Sequence, residues 1–66
     1  MDLVINGTRQ TVDDAICVTR LLDLLAVDPS RVAVEVNREL VTRKSFDDTR
    51  LADGDAVEVV TFVGGG

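Results

Sequence analysis

Ala56-Val57-Glu58-Val59-Val60-Thr61-Phe62, continued by Val63-Gly64-Gly65-Gly66, is the stretch whose reading decides the fold. Valine, threonine and phenylalanine fit a pleated backbone, and Glu58 is the only charge in the run. So apolar a strand is expected at the centre of a sheet, buried on both faces for part of its length. Leu51-Ala52-Asp53-Gly54-Asp55 leads into it as a tight turn built on Asp-Gly. Three glycines come after it. Lacking Cβ, glycine adopts backbone conformations closed to other residues and passes through narrow channels. Val63 to Gly66 reach at most roughly 14 Å at about 3.3–3.6 Å per residue. The chain is therefore read as a domain over 1–63 carrying a flexible glycine tail over 64–66, long enough to place a terminal carboxylate in another protein's active site.

Working outward, Leu3-Val4-Ile5, Asn6-Gly7 and Thr8 to Val12 read as a β-hairpin, because Asn-Gly accepts the positive φ angles of a type I′ turn. Asp13-Asp14 breaks the strand. Thr19 is placed as the N-cap of a helix running to about Ala26, with Leu21, Leu22, Leu24 and Leu25 as its apolar stripe. Asp28-Pro29-Ser30 ends that helix. Val32, Val34 and Val36 alternate with Arg31, Ala33 and Glu35, the pattern of a half-exposed strand. Asn37-Arg38-Glu39 turns into a short Leu40-Val41 strand, and Phe46 is the anchor of the polar stretch over 42–50. This order predicts an α+β fold with one helix across a mixed sheet. If the last strand pairs parallel to the first, both lie in the middle of the sheet and the glycines project from it.

The composition narrows the chemistry. At 66 residues this is one domain near the lower size limit for folding without staples. An apolar share of 45% with 29% charged residues argues for a packed domain and against disorder. Phe46 and Phe62 are the only aromatics, so the core is aliphatic. His, Trp and Tyr are absent, and a single Cys excludes an internal disulfide, which fits a reducing cytoplasm. The opening Met1-Asp2-Leu3 has no basic or long apolar segment, so neither export nor membrane insertion is expected. Seven basic residues against 12 acidic ones give a net charge of −5. That balance argues against nucleic acid, whose phosphates need clustered Lys and Arg. It suits docking on a basic partner, or simply solubility.

Several single residues have plain structural roles beside any chemical one. Cys17, between Ile16 and Val18, is expected as a small buried hydrophobe rather than a relay thiol. Asp53 and Asp55 flank a turn glycine without the further ligands a calcium loop needs, so no metal is expected. Asp13-Asp14 and Asp47-Asp48 are solvated turn residues by default. Valines on the sheet face away from the helix are a candidate docking patch.

Val34-Glu35-Val36-Asn37-Arg38-Glu39-Leu40-Val41 with Arg43, and the ending from Leu51 to Gly66, resemble the corresponding segments of the ThiS family, the sulfur carriers of thiamine biosynthesis. The resemblance covers essentially the whole chain and implies the ubiquitin-like β-grasp fold. Many relatives end in two glycines; the third here lengthens the arm by one residue. In that family a ubiquitin-activating-type adenylyltransferase uses ATP and Mg²⁺ to adenylate the terminal glycine carboxylate. Sulfur then replaces an oxygen to give a thiocarboxylate. The resemblance implies that Gly66 is the reactive position, Gly64 and Gly65 the threading arm, and Phe62 and Val63 the residues at the mouth of the partner's channel. It implies no cofactor bound by the carrier itself. The implied partners are the adenylyltransferase, thiazole synthase and a sulfur donor such as a cysteine desulfurase; a small acidic carrier that passes between enzymes is expected to be a monomer.

Sulfur delivery to molybdopterin, or to cysteine or methionine biosynthesis, stays open beside the thiazole reading. So does a ubiquitin-like modifier whose Gly66 forms an isopeptide bond, and a β-grasp interaction module with an idle tail.

Overall fold

A computed structural model describes residues 1–62. Val63, Gly64, Gly65 and Gly66 lie outside the described residues, so the expected threading arm and the expected reactive position are not among them. β1 (Asp2–Ile5) and β2 (Thr8–Thr11) form the first hairpin, α1 covers Val18–Leu24, and β3 (Val32–Val36) and β4 (Glu39–Val41) form a second hairpin before β5 (Ala56–Thr61). Short 3-10 turns at Pro29–Arg31 and Arg43–Ser45 fill the connections.

The five strands form one sheet in the order β2-β1-β5-β3-β4. β5 is central, parallel to β1 and antiparallel to β3. Asn6 and Gly7 have φ of 49° and 84°, the left-handed pair of a type I′ turn, as the Asn-Gly dipeptide predicts. Asn37 and Arg38 repeat the geometry at 51° and 70° with no glycine to ease it.

Inward-facing side chains meet α1 on one side of the sheet. Leu3, Ile5, Val32, Val34, Val57 and Val59 supply the strand half of the core, and Val18, Leu21 and Leu22 the helix half. Phe46 is buried under its loop, as expected, and Leu51 closes the end.

Three expectations are corrected. Thr19 is not the N-cap: that position is Cys17, and α1 starts one residue later. The Thr19 hydroxyl instead donates to Asp47, while the amides of Val18 and Thr19 donate to the carbonyls of Thr49 and Phe46. Loop carbonyls thus satisfy the helix start and no capping side chain is required. The helical stripe is Val18, Leu21 and Leu22 with half-buried Leu25, at the i, i+3, i+4, i+7 spacing of one face. Leu24 falls outside that stripe and is half exposed.

Third, β5 is not buried on both faces. Val57 and Val59 are buried, whereas Ala56, Glu58, Val60 and Thr61 are exposed. A single helix covers one face of this sheet, so even the central strand turns its alternate residues outward.

Candidate functional site

β5 is what carries the chain toward the glycines, and two asparagine side chains grip its backbone. β1 pairs with β5 only through Val4–Ala56 and Ile5–Val57. Past Ile5 the chain enters the first hairpin turn, and the side chain of Asn6 takes over the ladder. Its Oδ1 accepts from the Val59 amide at 2.8 Å, and its Nδ2 donates to the Val59 carbonyl at 3.1 Å. On the other flank, Asn37 from the second turn accepts from the Ala56 amide at 3.0 Å and donates its backbone amide to the Ala56 carbonyl at 2.7 Å. Its Nδ2 also donates to Asp55 Oδ1 at 3.0 Å.

Sequence reasoning missed these two residues as site-builders. It marks Asn6 for its turn propensity and Asn37 as part of a connection. The available signal was asparagine, whose amide mimics a peptide group, at the first central position of both hairpins.

At the exit, the Phe62 amide donates to the Arg31 carbonyl at 2.8 Å, extending the β3–β5 pairing by one residue. Phe62 is half exposed, as is Val60 two residues earlier. The structure thus places Phe62 at the end of the central strand with its ring accessible. Val63 and the three glycines continue from there outside the described residues.

The remaining candidates resolve into structural roles. Asp55 Oδ2 accepts from the Ala52 amide at 2.8 Å, and Asp53 Oδ1 accepts from the Asp2 amide at 2.7 Å. Both carboxylates are consumed by the turn before β5, where Gly54 has φ of 87°. Among the described residues no group of three or more His, Cys, Asp or Glu is placed to hold a metal ion. Cys17 is half-buried rather than buried, because its extended backbone bridges to Arg50 while Val18 takes the core position. It lines a groove of about 320 Å³ with Thr19, Asp23 and Val27. Among the described residues no helix is long and apolar enough to cross a membrane.

Nothing among these side chains assembles a nucleophile, a base and an oxyanion site. What they build is a platform that fixes one strand as far as Phe62. A five-stranded mixed sheet packed on one helix defines the class: a ubiquitin-like β-grasp protein.

The comparisons place it further. The model of the ThiS family matches residues 3–66, and the chain belongs to that family. The crystal structure of the thiamine biosynthesis protein ThiS from Geobacter metallireducens superposes with a TM-score of 0.86 at 46% identity, covering 100% of both chains. The sulfur carrier protein ThiS of Bacillus subtilis is 40% identical over 47 residues, covering 67% of this chain and 71% of that one. A thiazole synthase of Paramagnetospirillum magneticum is 44% identical over 66 residues, all of this chain. This chain spans only 20% of that relative's length.

Proposed function

We propose that this protein is a sulfur carrier of thiamine biosynthesis rather than an enzyme, and that the carboxylate of Gly66 is its working group. The observation that carries this reading is the family match, which runs through the glycines to residue 66. In the proposed cycle a carboxylate oxygen attacks the α-phosphorus of ATP and pyrophosphate leaves. The terminal sulfur of a cysteine persulfide on the donor enzyme then attacks the acyl carbon and AMP departs with the original oxygen, leaving an acyl disulfide; a thiol attacks the donor's sulfur in that disulfide, which releases the thiocarboxylate and leaves the donor cysteine in a disulfide with that thiol. The thiocarboxylate so formed hands its sulfur to the forming thiazole.

A carboxylate is a poor electrophile, so activation must precede transfer. The adenylating partner supplies ATP, Mg²⁺ and the catalytic side chains, which accounts for a carrier built without His and with a single cysteine. Phe62 and Val63 would lie at the mouth of the partner's channel, with Gly64 and Gly65 threaded through it. The likeness of this chain to part of a thiazole synthase supports that enzyme as the acceptor's site.

Intact-mass spectrometry of the protein isolated from cells making thiamine tests the proposal. A gain equal to the difference between sulfur and oxygen, located at Gly66 by fragmentation, is expected. Deleting Gly64, Gly65 and Gly66 together should abolish the gain and leave the thermal midpoint unchanged, since terminal residues add little to packing. Sulfur gain by the truncated chain, or high-mass conjugates joined through the tail, would overturn it.

A further inference from the structure

Asn6-Gly7 makes the turn of the first hairpin, and the Asn6 side chain also continues the ladder along β5. The same dipeptide carries a latent reaction. The backbone nitrogen of the residue after an asparagine can attack the asparagine Cγ, and a glycine there has no side chain to hinder the attack. Gly7 is exposed, and a Cβ placed on it would meet no atom within 4 Å. The other asparagine of the chain, Asn37, is followed by Arg38, whose side chain crowds the attacking nitrogen. Asn6 is thus the asparagine at which succinimide formation is least obstructed.

The fold opposes that reaction at the reacting atom. Cγ of Asn6 carries Oδ1 and Nδ2, and both are tied to Val59: Oδ1 accepts from its amide at 2.8 Å and Nδ2 donates to its carbonyl at 3.1 Å. The plane of the side-chain amide is thereby fixed against the edge of β5. The Asn6 backbone amide adds a third tie, donating to the Val57 carbonyl at 2.9 Å. Attack makes Cγ tetrahedral and expels Nδ2, so the planar pair of bonds to Val59 has to open first. Opening is local. β1 pairs with β5 only as far as Ile5–Val57, Asn6 is exposed, and a groove of about 360 Å³ lined by Asn6, Thr8 and Thr61 brings water to the same edge.

We propose that Asn6 is a site of spontaneous deamidation which the clamp on Val59 holds in check, and that the modification, once made, opens the clamp permanently. In the opened state the Gly7 nitrogen gives up its proton and bonds to Cγ. The Cγ–Nδ2 bond breaks, and Nδ2 leaves as ammonia with that proton. The succinimide then takes up water. Ring opening at Cγ gives aspartate, and ring opening at the backbone carbonyl carbon gives isoaspartate.

Neither product restores the clamp. The aspartate still accepts from the Val59 amide but has no proton for the Val59 carbonyl. In isoaspartate the chain runs through Cβ and Cγ, so the turn gains a backbone atom. The carboxylate left on Cα is then one carbon closer to the backbone and does not span to β5. Each molecule that reacts is lost from the clamped population, and Val59 belongs to the strand that leads to the tail. The working life of the folded domain is set at this turn, whatever the tail carries.

The test follows the full chain in mildly alkaline buffer, native and in denaturing urea. Peptide mapping by mass spectrometry locates the gain of an amide turned into a carboxylate, and chromatography separates the isoaspartyl peptide. In urea, Asn6 should react well before Asn37. In the native protein it should react at least about tenfold more slowly than in urea, the protection expected from the bonds to Val59. At urea concentrations too low to unfold the domain, deamidation of Asn6 and amide exchange of Val59 should rise in parallel, since one opening governs both. The purified deamidated fraction should melt at least about 4 °C lower than the unmodified protein, with the Val59 amide open to exchange. Equal rates in the native and unfolded chain, a stable Asn6 in urea, different urea responses at Asn6 and Val59, or a deamidated fraction that melts with the unmodified protein would each overturn the proposal.

Discussion

Replacing Asn6 by glycine isolates the clamp on β5 from the turn that contains it. Glycine adopts the φ of 49° at that position without strain, so the hairpin turn should survive. What disappears is the pair of bonds to Val59, at 2.8 and 3.1 Å. An unsatisfied buried donor or acceptor costs about 1–3 kcal/mol. Val59 is 9% exposed, but the vacated edge lies beside a groove of about 360 Å³ lined by Asn6, Thr8 and Thr61, through which water can reach the freed groups. The two losses together are therefore set at about 2 kcal/mol rather than the sum of two full penalties. For a domain this small that is a fall of roughly 8–16 °C in the thermal midpoint.

Thermal unfolding measures the fall. Amide exchange of Val59 locates it, since that proton should become far less protected than those of β3. Asn6→Asp gives a second readout. The carboxylate still accepts from the Val59 amide but has no proton for the Val59 carbonyl, so its midpoint should drop near neutral pH. It should recover as acid restores a donor. A midpoint for Asn6→Gly within about 2 °C of wild type, with Val59 exchange unchanged, would refute the idea that this side chain continues the ladder where β1 stops.

Three further outcomes are expected. Ala26 ends α1 at φ of 57°, with its amide on Asp23 and that of Val27 on Leu22, the paired bonds of a Schellman cap that favours glycine; Ala26→Gly should stabilise by about 0.5–1 kcal/mol, read as a rise in urea midpoint at constant m. Leu22 is fully buried between helix and sheet, so Leu22→Ala should cost roughly 2–5 kcal/mol, enough to leave much of the protein unfolded at 37 °C by circular dichroism. Asp28 is held below the usual carboxylate range by hydrogen bonds from the Ser30 hydroxyl and amide. Because its folded pKa is depressed, its contribution to stability is present above about pH 4 and is lost as pH falls through the folded value. Asp28→Asn should therefore lessen the loss of stability on acidification below about pH 4, measured by denaturant titrations at a series of pH values.

Much of the fold was legible because its signals are local. Asn6-Gly7 and Asp53-Gly54 announce positive φ by composition, and the alternation of Val32, Val34 and Val36 needs no partner to be seen. The misreadings share a physical cause: each concerned what a residue meets across space. Thr19 has the chemistry of a cap, but the carbonyls of Phe46 and Thr49 had already filled that role, and only the folded chain brings residues 46–49 to the start of α1. The apolar run of β5 suggested burial on both sides, because composition does not count how many helices are available to cover a sheet. The facing of Glu35 and Glu58 depends on a register between strands more than 20 residues apart in sequence and has no local trace at all. The glycine tail is the opposite case. Its message is wholly local, since three consecutive residues without side chains are legible from the sequence itself.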